Sequence, residues 1–239
     1  INLELIFADL ETIEKRLERA RKLLKADKKY QFEIDTLEKV KEALDAGKCA
    51  RTLSYTDEER EVLRESFLLT MKPVLYVANV SENEIENPDV NENVIRVREY
   101  AKEENAEVIP LCVKIEEELS VLDKEDKDEM LAALGLEESG LDKLIKASYK
   151  LLGLMSFLTA GEPEVRAWTI KIGTKAPQAA GKIHSDIERG FIKAEVISFD
   201  DLMSAGGSMV QAKEKGLVRS EGKEYIMRDG DIVLFRFNV

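Results

Sequence analysis

The stretch Val74-Leu75-Tyr76-Val77-Ala78-Asn79-Val80 is a continuous apolar run of strand length. A second run of the same kind, Glu107-Val108-Ile109-Pro110-Leu111-Cys112-Val113, follows a polar segment over about 89–105 that has helical character. Uninterrupted apolar runs are typical of parallel strands that are buried on both faces. Two further helices are predicted over 123–134 and 139–153. The alternation of strand and helix therefore predicts half of an α/β domain.

Helical periodicity dominates the sequence before this α/β segment. Apolar residues alternate three and four apart over 3–24 and form a heptad-like seam, and a second apolar stripe covers about 30–47. Thr56 and Glu59 have the spacing of a capping box at the start of a third helix. The first two helices predict an antiparallel, coiled-coil-like hairpin, and its seam makes self-association one alternative for this arm.

The sequence beyond Gly161-Glu162-Pro163, which we interpret as a boundary, predicts a small α+β unit. Within it, Arg228-Asp229-Gly230-Asp231 has the composition of a hairpin turn between Tyr225–Met227 and Ile232–Phe237. The other predicted elements are strands over 165–172 and 194–199 and a helix over 176–188.

Composition excludes several classes of protein. The 239 residues contain 48 acidic and 36 basic side chains, and the net charge of −12 falls in residues 1–161, since the remainder holds 12 of each sign. Such a surface disfavours nucleic acid, except near the neutral last third. No apolar run approaches the roughly 20 residues of a membrane span, and the start of the chain does not resemble a signal peptide.

Cysteine and histidine usage favours a cytoplasmic protein without a metal site. Cys49 and Cys112 are far apart and lack metal-ligand spacing, which favours a reducing compartment. His184 is the only histidine, so a zinc site or a Ser-His-Asp triad has little support, and we interpret this residue as a surface or packing histidine. We therefore predict neither catalytic nor metal-binding residues in this chain.

Asn79 and Glu82 suggest a base-binding loop. An asparagine that leaves a buried strand, followed three residues later by a carboxylate, resembles the N-K-x-D motif with which P-loop nucleotide hydrolases recognise guanine. Here Val80 stands in place of the lysine and the carboxylate is longer, so we expect weaker guanine selectivity. Open α/β sheets also bind ligands beyond the carboxyl ends of their strands. The spacing N-x-x-E carries little information by itself, and a simple polar loop remains the alternative.

Cys112 and Lys114 follow the second apolar run in the way that the second base-contacting loop of such hydrolases does. A buried core residue and a solvated loop charge are the alternatives for these two positions. A phosphate-binding loop of the form G-x-x-x-x-G-K-[ST] is absent from the sequence, so this chain cannot build the triphosphate site alone.

A family resemblance extends over nearly the whole chain. The sequence resembles the C-terminal two thirds of an Obg-like ATPase of the YchF family, without the N-terminal half of the nucleotide-binding domain. The stretches that carry the resemblance are Asn2–Leu5 with Leu10–Arg16, Lys72–Val80, Gly135–Leu141, Phe157–Gly161, Arg166–Ile170, Ala176–His184 and Asp229–Val239.

The resemblance implies three parts. Residues 1–68 would be the family's helical insertion, 69–155 the second half of the P-loop NTPase domain, and 156–239 a TGS domain. The TGS domain is a β-grasp fold that is also found in threonyl-tRNA synthetases and stringent-response enzymes.

The resemblance also implies a function. The longer parent would be a cytoplasmic, ribosome-associated hydrolase that uses Mg²⁺ and prefers ATP over GTP, and Asn79, Val80, Glu82, Cys112 and Lys114 would contact the nucleotide. We expect this chain alone to be inactive and to bind no nucleotide or Mg²⁺ tightly. The alternative is a regulatory module that binds RNA or the ribosome without catalysis.

Overall fold

A computed structural model describes residues 1–161 and 164–238 of the chain. Their contacts divide the chain into two compact units, Ile1–Ile145 and Lys146–Val239. Helices and strands occur in both, which confirms the predicted mixed α/β content. The boundary predicted at Gly161-Glu162-Pro163 falls partly outside the described residues. No helix in the described ranges is both long and apolar enough to cross a membrane.

The first unit begins with two long helices, α1 (Asn2–Leu24) and α2 (Tyr30–Asp45). Their apolar stripes pack together, and Ile13 and Leu37 in this seam are fully buried. A third helix, α3 (Asp57–Arg64), begins at the predicted capping box: the Thr56 hydroxyl accepts from the Glu59 N–H at 3.2 Å, and the Glu59 carboxylate accepts from the Thr56 N–H at 2.8 Å.

Asp9 anchors helix α1 to the segment before the first strand. Its carboxylate is buried and accepts hydrogen bonds from the Leu69 N–H at 2.8 Å, the Thr70 N–H at 2.7 Å and the Thr70 hydroxyl at 2.6 Å. Because a buried carboxylate is costly unless hydrogen-bonded, these three donors fix the helix against residues 69–70.

Two parallel strands, β1 (Leu75–Asn79) and β2 (Glu107–Leu111), form the predicted sheet. In their register Asn79 lies opposite Leu111, so the carboxyl ends of both strands meet at one edge. The predicted burial of β1 on both faces is wrong, because Val77 is 46% exposed. Within the described residues β1 pairs with β2 alone and therefore has an open edge.

Four helices lie between and after these two strands in the chain. One of them, α5, was not predicted as a separate helix, because residues 113–120 directly follow a strand. The four are α4 (Glu92–Glu103), α5 (Val113–Ser120), α6 (Lys124–Ala133) and α7 (Gly140–Leu151).

A buried ion pair joins the α2–α3 connection to Glu104, the residue that follows α4. Arg51 Nη2 contacts both carboxylate oxygens of Glu104, at 3.0 and 3.1 Å, and only 6% and 4% of the two side chains is exposed. The Tyr76 hydroxyl of β1 also donates to Glu104, at 2.7 Å. Burial, together with this hydrogen bond, raises the pKa of Tyr76 to about 12.

The second unit contains, in chain order, β3 (Leu154–Ala160), β4 (Val165–Lys171), α8 (Ala176–Ile183), α9 (Ser185–Arg189), β5 (Phe191–Ile197), α10 (Phe199–Ser204), α11 (Met209–Glu214), β6 (Arg219–Glu221) and β7 (Ile232–Phe237). The strands form a mixed five-stranded sheet in the order β4-β3-β7-β5-β6. Strands β3 and β7 are parallel, whereas β3–β4, β5–β7 and β5–β6 are antiparallel. Helix α8 packs on β4 and β5 and contributes Ala176, Ala179 and Ala180 to the core around Phe157.

The structure corrects two predictions in this unit. The turn at 228–231 does not join paired strands, because Ile226 forms only an isolated bridge with Lys175 while β7 pairs with β3 and β5. The helix predicted over 176–188 is broken at His184, where the backbone is extended. His184 instead caps α9, and its Nδ1 accepts from the Asp186 N–H at 3.2 Å.

Candidate functional site

A cavity of about 300 Å³ lies at the carboxyl edge of β1 and β2. It is lined by Ser81, Asn83 and all five residues that were predicted to contact a nucleotide, namely Asn79, Val80, Glu82, Cys112 and Lys114. Its volume is at the lower end of the range for small-molecule sites. The parallel register places the two segments side by side, although 28 residues separate Asn83 from Cys112 in sequence.

Asn79 joins the two loops directly. Its side-chain oxygen accepts a hydrogen bond from the Val113 N–H at 3.1 Å, at the start of α5. The adjacent backbone continues the sheet, since the Val80 N–H donates to the Leu111 carbonyl at 2.9 Å. Because the Asn79 oxygen is engaged, its amide N–H groups are the part of the side chain that can donate to a ligand acceptor.

Glu82 and Lys114 form an ion pair at the cavity. Both side chains are substantially exposed, at 43% and 66%. The hydrogen bond that Lys114 donates to the Glu82 carboxylate raises the pKa of the Lys114 ammonium above its usual value. The prediction that Lys114 lies in a loop is wrong: it occupies the first turn of α5, because helix begins directly after Cys112.

Val80 and Cys112 contribute walls rather than polar contacts. Both residues are buried, while Asn79 beside them is exposed. The thiol of Cys112 is free, and this residue belongs to the apolar cluster with Ile115 and Leu119. A short apolar side chain at Val80 covers less of a bound base than the long lysine stem of the N-K-x-D motif.

Glu84, which the sequence reading missed, shapes the loop that carries Glu82. Its carboxylate accepts from the Ser81 N–H at 3.0 Å, the Ser81 hydroxyl at 2.6 Å and the Asn91 amide at 2.8 Å. These bonds, that of the Ser81 hydroxyl first, lower the pKa of Glu84. The S-x-x-E spacing of Ser81 and Glu84 is the signal that could have identified this capping box.

Glu116 and Gly140 fix the position of α5, the helix that carries Lys114. The Glu116 carboxylate accepts from the N–H groups of Gly140 and Leu141, at 2.7 and 3.0 Å, and so holds the start of α7 against α5. A Cβ atom at Gly140 would lie 2.6 Å from the Leu111 Cβ. Only glycine permits this close approach of α7 to the end of β2.

The predicted residues give this cavity both polar and apolar groups. An amide, a carboxylate and an ammonium beside apolar walls match the polar edge and flat faces of a base. Within residues 1–161 and 164–238, by contrast, no group of three histidine, cysteine or acidic side chains is arranged to hold a metal. The residues present therefore do not fit Mg²⁺, and no phosphate-binding loop occurs in the sequence.

Comparisons with known proteins relate the whole chain to one group of proteins. The family YchF-GTPase_C, described as "Protein of unknown function (DUF933)", matches residues 154–238. The "Ribosome-binding ATPase YchF" of Bacillus subtilis (strain 168) is 58% identical over 240 residues, which cover 100% of this chain and 65% of that protein. The protein of the same name from Escherichia coli O157:H7 is 47% identical with the same coverage.

A solved structure is also similar along nearly the whole chain. The YchF GTPase of Schizosaccharomyces pombe has a TM-score of 0.84 and 34% identity, over 99% of this chain and 64% of that one. The chain spans about 65% of the length of the curated relatives it matches. The predicted resemblance is confirmed, and the chain is homologous along its whole length to proteins of the YchF family.

Proposed function

We propose that this chain supplies the base-recognition wall of a nucleotide-binding domain in a ribosome-associated ATPase. The observation that carries the proposal is the single cavity lined by Asn79, Val80, Glu82, Cys112 and Lys114. In this role Asn79 donates an amide N–H to a ring nitrogen of the base. Val80 and Cys112 form the apolar wall, and the Glu82–Lys114 pair faces the polar edge of the base.

The phosphate-binding and Mg²⁺-binding parts would belong to the remaining third of the longer relatives. The open edge of β1 and the exposed Val77 support this division, since a further strand would cover both. The parent would hydrolyse ATP, or GTP less readily, with Mg²⁺ stabilising the charge that develops on the phosphates. This chain alone should release no phosphate from ATP.

The proposed arrangement has a helical insertion at 1–68, the NTPase half at 69–155 and a TGS domain at 156–239. The packing of α1 on α2 supports the first part. The strand order β4-β3-β7-β5-β6, with parallel central strands β3 and β7, supports a β-grasp fold. Self-association of the helical arm stays a prediction. In this chain the apolar seam of α1 already packs against α2.

Nucleoside binding tests base recognition. We expect adenosine to give saturation-transfer NMR signals with the 239-residue chain, and ribose to give none. Replacing Asn79 by alanine removes one polar contact and should weaken adenosine about tenfold, as one lost ligand hydrogen bond does. Asn93→Ala, at an exposed position of α4, is the matched control. Equal signals from adenosine and ribose would contradict the proposal.

A second candidate function is ribosome or RNA binding without catalysis. The names of the curated relatives and three exposed lysines, Lys171, Lys182 and Lys193, support it; none of the three forms an ion pair within the described ranges. Lys175 and Arg189, two other cations of this unit, are paired with Glu224 and Asp186.

Co-sedimentation with ribosomes tests this candidate. We expect the chain to sediment with ribosomes at low salt and to dissociate steeply as salt rises, because phosphate contacts release counterions. The double change Lys182→Glu and Lys193→Glu should reduce the bound fraction several-fold, and Lys124→Glu on α6 of the first unit serves as the control. Binding that is absent at low salt would exclude this function for the chain.

A further inference from the structure

Guanine and adenine differ in what their polar edges require of a protein. Guanine presents two adjacent donors, N1–H and the 2-amino group, beside the O6 acceptor. A free carboxylate can accept from both donors at once, because it has two oxygens and no proton to offer. A protein that reads guanine in this way therefore needs an unoccupied carboxylate at the base edge.

The carboxylate in this cavity is already occupied. Lys114 Nζ contacts Glu82 Oε1, and within the described residues Glu82 has no second cationic partner. The two side chains come from different loops, so the ion pair spans the cavity from the end of β1 to the start of α5. A guanine base must compete with the ammonium for one of the two oxygens it requires.

A backbone donor beside the cavity is also occupied. The Val113 N–H, at the start of α5, is bonded to the Asn79 side-chain oxygen at 3.1 Å. It is therefore not free to donate to the O6 acceptor of a guanine base. The Glu82 carboxylate and the Val113 N–H, which would complement guanine, are thus both engaged by partners on the opposite loop. The Asn79 amide N–H groups, by contrast, can donate to either purine.

We propose that Lys114 is a specificity-determining residue that suppresses guanine recognition by engaging the Glu82 carboxylate. The inference rests on the proposed base-binding function of this cavity. Selectivity is a difference between two affinities, and it can be set by blocking one ligand as well as by favouring another. Adenine needs no bidentate carboxylate, so its binding does not depend on freeing Glu82.

The test compares guanosine with inosine, which lacks the 2-amino group, using saturation-transfer NMR titrations of the 239-residue chain. Wild type should bind the two nucleosides with similar affinity. Lys114→Met frees both oxygens of Glu82 and should raise the preference for guanosine over inosine about tenfold, as a completed bidentate contact does. Adding Glu82→Gln to Lys114→Met should abolish the gain, because an amide cannot accept both N–H groups.

Two further variants sharpen the result. Lys114→Arg retains a cation on Glu82 and should not create the guanosine preference. Lys102→Met removes the same charge from an exposed position of α4, away from the cavity, and should not create it either. Circular dichroism establishes that each variant folds.

The possible failures can be told apart. If nucleosides bind but Lys114→Met leaves the guanosine-to-inosine ratio unchanged, the role of Lys114 is overturned and base binding stands. If neither wild type nor any variant binds a nucleoside, the proposed function is overturned and the inference falls with it.

Discussion

Replacing Glu104 by alanine is expected to lower the free energy of unfolding of the first unit by about 3 to 5 kcal/mol, as the loss of one partner from a buried ion pair does. The change leaves the Arg51 guanidinium in a site where only 6% of its side chain is exposed. Its remaining side-chain bond is that of Nη1 to the Thr70 carbonyl, at 3.2 Å. The Tyr76 hydroxyl loses its acceptor at the same time.

Urea unfolding followed by circular dichroism measures this effect. Glu103→Ala, an exposed neighbour on α4, is the control and should change stability by less than about 0.5 kcal/mol. The double variant Arg51→Met with Glu104→Leu should recover most of the loss, since apolar side chains often replace a buried ion pair without cost. A small effect of Glu104→Ala, comparable to that of the control, would show that Arg51 finds other partners or water.

Replacing Asp9 by alanine is expected to lower the free energy of unfolding by about 3 kcal/mol or more, because three hydrogen-bond donors lose their acceptor. Two of these are the N–H groups of Leu69 and Thr70, and the third is the Thr70 hydroxyl. The carboxylate is buried, so water does not readily replace it. We also expect faster amide exchange at residues 69–70, since their N–H groups lose their acceptor.

Hydrogen exchange read by mass spectrometry locates this change, and urea unfolding gives its size. Asp9→Asn should have an intermediate effect, because the amide retains one acceptor oxygen. Glu18→Ala, on an exposed position of the same helix, is the control. Unaltered protection of residues 69–70 in Asp9→Ala would mean that the anchor contributes little.

These two anchors matter for the candidate site because both act on the approach to β1. Asp9 holds residues 69–70, which precede the strand, and Glu104 holds Tyr76 within it. Asn79 ends the same strand and joins it to α5. Both anchors therefore lie on the strand that leads to the candidate cavity. If the proposed function holds, loosening either anchor should also weaken adenosine binding.

Much of the first unit could be predicted from the sequence because its signals are local. Thr56 and Glu59 form their capping box through bonds that span three residues, and the heptad-like spacing in α1 is a property of one helix. The edge where Asn79 and Cys112 meet could be predicted as well, since parallel strands place their carboxyl ends together. The end of the second unit was mispredicted because a local turn composition at 228–231 does not decide which strands pair.

Periodicity and strand ends can be read within one segment. The amino-acid order was therefore enough to predict the helical arm, the two parallel strands and the residues at their shared edge. Three contacts emerge only in the folded chain: Lys114 bonds to Glu82, Asp9 holds residues 69–70 and Arg51 meets Glu104. These contacts join residues 32 to 61 positions apart, and which charge meets which partner depends on how the helices pack. The two halves of the site are thus specified locally, while their electrostatics arise from the fold.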